Sequence, residues 1–275
     1  MEFVEVVADT VPGDYLPEVL LMPVGDVQCG VAACDEDRFQ RHMEYGIKRR
    51  ALFLGMGDYV DMAAPSDRRR LRQADFYDTV TAAVLDKAEA DVARFLRLTN
   101  GSRGQWAGLL QGHHYMAFPD GTTSDTRIAA ALDAPFLGDC ALVRVDLGKT
   151  DTHADILCHH GQGSTGSEAA ALSVVMKFGA GFGHADVVVN GHHHKKVATK
   201  KPRPYYDDDG KLVSKNTIYA VTGSFLKGYL QCSQRDGRAG GSYIEQRMLS
   251  PVALGGIIIT LRARPGGRLD LDVSL

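Results

Sequence analysis

Seven of the ten histidines in this chain of 275 residues fall in three tight groups: His113-His114, His159-His160 and His192-His193-His194. Each group closes a short apolar run, Trp106 to Leu110, Ile156 to Cys158 and Val187 to Val189 respectively. Two further runs, Val19 to Val24 and Ala51 to Met56, lead into Gly25-Asp26 and Gly57-Asp58. Carboxylate oxygen and neutral imidazole nitrogen are ligands that Zn, Mn and Fe accept. About seven of them at one sheet edge are enough for two ions, and two ions about 3.5 to 4 Å apart can clamp the attacking and leaving oxygens of a phosphoryl displacement. A carboxylate between the ions offsets their repulsion, and Asp58, on a tight turn after an apolar run, suits that place. In His192-His193-His194 an extended backbone would turn the first and third rings to one side and His193 to the other.

Positioning these residues requires strands that end together. Short apolar runs alternate with stretches of helical period, the pattern of an α/β domain, and open α/β sheets bind ligands outside the carboxyl ends of their strands. Thr79 to Thr99 carries Val84, Leu85, Ala88, Val92, Phe95 and Leu96 at three- and four-residue spacing and is expected to be an amphipathic helix. Ser167 to Phe178 is expected to be a second, capped by Ser167. In the last third, Thr217 to Val221, Tyr243 to Leu249, Gly256 to Leu261 and Leu269 to Val273 are expected to be strands joined by Gly-rich turns. Neither a repeat nor a Pro/Ser linker divides the chain, so residues 1–275 are expected to form one domain.

Composition narrows the class. The chain is 44% hydrophobic and 24% charged, with 31 Lys plus Arg against 34 Asp plus Glu, a net charge of −3. These values exclude intrinsic disorder, a collagen-like repeat and a supercharged nucleic-acid coat. Without a basic n-region or an apolar run approaching roughly 18 residues, a cytoplasmic protein with no membrane partner is expected. Five cysteines, odd in number and in no CxxC pair, argue against a disulfide framework or a thiolate zinc site.

The order Asp26-Val27-Gln28, Gly57-Asp58-Tyr59-Val60-Asp61, Gly112-His113-His114, His159-His160 and Gly191-His192-His193-His194 resembles the calcineurin-like metallophosphoesterases, whose pattern is DxH, GDxxD, GNH[DE], a strand-end His, then GHxH. The resemblance spans residues 24 to 194. It implies a four-layer αββα sandwich of two mixed β-sheets flanked by helices. It also implies two divalent transition-metal ions, with Mn expected and Fe, Zn or Ni as alternatives. Asp26, Gln28, Asp58 and His194 would hold the first ion, and Asp58, His113, His160 (or His159) and His192 the second. His160 is preferred because Gly161 lets the backbone turn close to the metals. The implied activity is hydrolysis of a phosphodiester by a hydroxide bridging the ions, with His114 and Asp58 in the catalytic roles and His114 protonating the leaving oxygen. Asp61 would be a supporting residue.

Two positions depart from the pattern: Gln28 stands where the family has His, and His113 where it has Asn. They motivate an alternative, a metal-binding scaffold of the same fold without turnover; a phosphomonoesterase or protein phosphatase is another. Gly161-Gln162-Gly163-Ser164-Thr165-Gly166 matches GxGxxG, but Asp186 precedes the next apolar run instead of ending it, which argues against a nicotinamide-dependent enzyme. Two basic clusters, Arg68-Arg69-Arg70 with Arg72 and Lys195-Lys196 with Lys200, Lys201 and Arg203, fall in segments 62–78 and 195–215, which are expected to be loops rimming the site. They favour a nucleic-acid substrate, with Tyr205-Tyr206 available to stack bases.

Overall fold

The computed structural model describes residues 1–8, 11–12, 17–62, 78–148, 150–207, 209–231, 234–235, 238–239, 243–246 and 248–275. In chain order its elements are β1 (Glu2–Ala8), β2 (Val11–Pro12), β3 (Pro17–Val24), α1 (Glu36–Lys48), β4 (Leu52–Gly55), α2 (Asp78–Leu98), β5 (Trp106–Leu110), α3 (Ser124–Ala131), β6 (Phe136–Gly138), β7 (Cys140–Leu147), β8 (His153–His159), α4 (Glu168–Gly179), β9 (Val187–Asn190), β10 (Lys196–Tyr206), β11 (Leu212–Thr222), β12 (Gln234–Arg235), β13 (Arg238–Ala239), α5 (Tyr243–Gln246), β14 (Ile258–Arg264) and β15 (Arg268–Ser274). None of the described helices is long and apolar enough to cross a membrane.

Two mixed sheets form the centre. The first runs β1-β7-β8-β9-β11-β10; the second runs β15-β14-β3-β4-β5-β6, with β2 on β3. Their facing sides make one apolar layer, in which Leu21, Leu54, Ala107 and Ile259 meet Val143, Ile156, Val187 and Ile218. The outer face of the second sheet is covered by α1, α2 and α3, with Phe39, Met43, Phe95 and Ile128 against Met22, Phe53 and Leu109. On the other side α4 sets Ala171 and Val175 against Leu157, Val188 and Val221. The result is the αββα sandwich that the sequence pattern implies. Burial on both faces explains why the central strands read as unbroken apolar runs; all five residues of β5 and all four of β9 are buried.

The five apolar runs lie in β3, β4, β5, β8 and β9, and the two expected helices are α2 and α4, the latter capped by Ser167 accepting from the Ala170 amide. Other expectations need correcting. The five runs do not end at one sheet edge: three belong to the second sheet and two to the first, and their carboxyl ends meet across the sandwich. Residues 243–246 are the helical turn α5, not a strand. Local context outweighs the β propensity of Tyr243 and Ile244 there.

Segment 195–215 is no loop either. Lys196 to Tyr206 pairs with Leu212 to Thr222 over a long antiparallel ladder, at an edge that tolerates Pro202 and Pro204. Register carries Lys200, Lys201 and Arg203 away from the strand ends, while Lys195 and Lys196 stay beside them. Val197 is level with Val221 and Asn190, whereas Lys200 is level with Ile218 and Val187, at the opposite end of β9. Residues 63–77, including the Arg68 cluster, lie outside the described residues, as does Cys232. The other four cysteines are free, and all but Cys140 are buried.

Candidate metal centre

Asp26 and Gln28 follow β3, and Asp58 follows β4. The two turns run side by side, the Asp26 amide donating to Gly57 O and the Val27 and Gln28 amides to Asp58 O, each at 3.0 Å. Asp26, Gln28, Asp58, His192 and His194 all have φ between +50° and +66°, five of the eight non-glycine residues with positive φ among those described. Left-handed backbone costs about 1 to 3 kcal/mol per residue and persists where surrounding structure enforces it. Here it clusters at adjacent strand ends, where Asp26, Asp58, His192 and His194 come together. It also corrects the extended backbone expected for residues 192–194.

The carboxylates are fixed by main-chain donors from other blocks. Asp58 Oδ1 accepts from the His113 and His114 amides at 2.5 and 2.9 Å. Asp26 Oδ2 accepts from the His192 amide at 2.8 Å. Each acid therefore keeps one oxygen for another purpose. Asp58 Oδ2 lies 3.3 Å from His160 Nε2, and Asp26 Oδ1 lies 3.4 Å from His194 Nε2. Neither approach is a hydrogen bond, and Asp26 Oδ1 and His160 Nε2 are buried without a partner. Gly112 has no room for a side chain, because a Cβ there would collide with the Asp58 amide nitrogen. The same glycine's amide donates to buried Asp125 of α3 at 2.8 Å, tying the His113-His114 turn to that helix.

Tautomers follow from second partners. His160 Nδ1 donates to Met56 O at 2.6 Å, so in the neutral ring Nε2 is the nitrogen with the lone pair. His192 Nε2 donates to Gly163 O at 2.8 Å, so its Nδ1 carries the lone pair, 3.2 Å from His113 Nδ1. Ring nitrogens of His113, His160 and His192 lie within 4.8 Å of one another, as do donor atoms of Asp26, Asp58 and His160. Lone pairs converging on one space, two of them on buried atoms without a hydrogen bond, are an arrangement that cations would satisfy. Two carboxylates and four imidazoles are a donor set that divalent transition ions accept. The residues present fit such ions.

Electrostatics divide the histidines. Burial pushes His113 down to about 4, helped by the neighbouring His160 and His192 rings. Burial likewise lowers His192, again with His160 contributing. Both are neutral near pH 7, the form that binds metal. Burial also disfavours charge on His194, but the Asp26 carboxylate overcomes it and raises the ring. For the His160–Asp58 pair, burial opposes both charges, and their mutual attraction holds Asp58 below and His160 above the ordinary values. His114 is raised despite burial because its Nδ1 lies 2.6 Å from Asp61 Oδ1.

The structure thus brings Asp26, Asp58, His113, His160, His192 and His194 together, with His114 beside them. Gln28 is buried, its amide bonded to Asp58 O. Of the two strand-end candidates, His160 stands in both groups. His159 turns away: its Nδ1 accepts from the Gly161 amide and its ring packs on Phe178 at 5.5 Å. His193 is buried with neither ring nitrogen partnered. Sequence reasoning missed Asp125 and the carbonyls of Met56 and Gly163, which fix the site's geometry. Asp125 had a legible signal, the capped helix start at Thr123-Ser124-Asp125.

No family model matches the chain, and no curated protein matches it. Among solved structures, 93% of the chain is similar to 88% of a conserved uncharacterized protein from Streptococcus pneumoniae TIGR4, described as a predicted phosphoesterase, at 9% identity and TM-score 0.35. The same share is similar to 97% of Vps29 from Chaetomium thermophilum, at 11% identity and TM-score 0.35.

Proposed function

We propose that the chain is a dinuclear metal-dependent phosphoesterase that hydrolyses a phosphodiester. The observation carrying this reading is the lone-pair arrangement: Asp26 Oδ1 and His160 Nε2 are buried and orphaned, while main-chain carbonyls fix the tautomers of His160 and His192. Asp26, Gln28, Asp58 and His194 would hold one ion, and Asp58, His113, His160 and His192 the other. When bound, the ions supply activation of water and neutralisation of charge on the phosphoryl oxygens. Imidazole-rich coordination accommodates Fe, Zn and Ni as well as Mn.

The chain's own residues supply the rest. His114, held through Nδ1 by Asp61, keeps Nε2 to deliver a proton to the departing oxygen, and its raised pKa keeps that proton available near neutral pH. Asp58 is immobilised by two amides, so its Oδ2 is presented without reorganisation. Among the described residues no Lys or Arg forms an ion pair with Asp26 or Asp58.

Gln28 supports a second reading, a scaffold that binds metal without turnover, since an amide oxygen is a weaker ligand than imidazole. Hydrolysis of a chromogenic diester by metal-loaded wild type and by Asp58→Asn separates the two. Turnover lost in the variant supports the enzyme; metal-loaded wild type that is inert supports the scaffold.

A further inference from the structure

The β10–β11 hairpin outruns the sheet that carries it. Pairing of β11 with β9 stops at Ile218↔Val187, yet the ladder continues for six more pairs, from Lys201↔Thr217 to Tyr206↔Leu212. Over that length no described strand other than β10 is hydrogen-bonded to β11, although β15 packs against it. Residues 196–217 hold six Lys or Arg against three Asp, a net +3 within a chain of net −3. Alternation puts Lys201, Arg203 and Tyr205 on one face of β10, with successive members about 6.6 Å apart.

Across the ladder, Arg203 stands directly opposite Lys215, an arrangement that costs stability unless the charges are compensated. Lys215 is compensated by Asp186 at 2.8 Å. Neither Lys201 nor Arg203 forms an ion pair among the described residues. At the end of the arm Tyr205, Tyr206 and Leu212 are 44%, 72% and 62% exposed. Asp207 is used within its own turn, accepting from the Lys211 amide at 2.8 Å. Pro202 and Pro204 remove amide donors from the outer edge of β10, so the arm is built against strand addition and offers side chains instead.

Uncompensated cations interleaved with exposed aromatic rings are the chemistry that holds single-stranded nucleic acid, cations on phosphates and rings on bases. We propose that the β10–β11 arm is a binding surface for single-stranded nucleic acid. It lies at the opposite end of the strands from the metal centre, about 20 Å along β10 from Val197 to Arg203. The arm therefore acts as a tether that raises local concentration and not as part of the reacting site. The proposal stands whether or not the metal centre turns over.

The test is fluorescence polarisation of a labelled 20-nucleotide oligo-dT with the full chain in chelator, over a range of salt. Wild type is expected to bind with an affinity that falls as salt rises. Lys201→Glu/Arg203→Glu should weaken binding at least tenfold and flatten the log–log salt slope by about 1.4, the share of two phosphate contacts. Tyr205→Ala should weaken binding about fivefold or more at unchanged slope. Lys48→Glu/Arg97→Glu, the same change of charge at exposed helix positions, should leave affinity within twofold. The proposal is overturned if wild type does not bind at 50 mM salt or if both double variants lose binding equally. Binding to phosphatidylserine vesicles but not to oligo-dT would also overturn it.

Discussion

Each acid at the centre divides its two oxygens between structure and chemistry. Asp58 gives Oδ1 to two amides and Asp26 gives Oδ2 to one, leaving Asp58 Oδ2 and Asp26 Oδ1 facing imidazole nitrogens. Gln28 is the residue where this design is weakest. Gln28→His should tighten binding of the weaker ion about tenfold in competition with a chelator, as imidazole replaces an amide; unchanged affinity would place Gln28 outside the coordination sphere. His114→Ala should cost on the order of 100-fold or more with an alkyl leaving group and little with nitrophenol, which departs without a proton. An equal loss on both would remove the acid role. Residue types and order made the donor set legible in the sequence. The Met56 and Gly163 carbonyls that choose the tautomers were not, because a main-chain oxygen leaves no trace in residue identity.

Elements were legible where burial is symmetric. β5 and β9, covered on both faces, show as unbroken apolar runs, and Ser167 announces α4. β10 and the first part of β11 were read as loop because Lys, Arg and Pro dominate them, whereas Thr217 to Val221 was read correctly as strand; at a sheet edge those residues cost little and discourage aggregation. Helix α1 escaped notice although Asp35 caps it and Phe39, Met43 and Gly46 form its buried stripe. That helix carries a pH-sensitive contact. His42 packs its ring on Phe225 at 5.5 Å, and its Nε2 is buried without a partner. Burial, with Lys196 nearby, pushes its pKa down to about 4 from the ordinary 6.5. The unfolded chain therefore binds the extra proton first, and stability contributed by the neutral ring is lost as pH falls from about 6.5 to 4. His42→Leu should flatten the acid limb of the urea-midpoint profile in that window, by up to about 3 kcal/mol. An unaltered acid limb would show that the ring is charged in the folded protein.

Over the whole molecule, the two sheets present their carboxyl ends at one edge of the sandwich, and the five polar turns close on a common space. The split between sheets was hidden from sequence because strands of either sheet, buried alike, give the same apolar run; which strands pair is decided by packing at long range. The far end carries the basic arm, so Lys201 and Arg203 are separated along the strands from the candidate metal site. The most direct test of the central claim is metal content per chain under saturating Mn, measured together with hydrolysis of a chromogenic phosphodiester, for wild type and Asp58→Asn. The account predicts two ions and metal-dependent turnover in the wild type, and in the variant fewer than two ions with turnover reduced on the order of 100-fold or more. Two ions and undiminished turnover in Asp58→Asn, or a wild type that binds fewer than two ions and hydrolyses nothing, would contradict it.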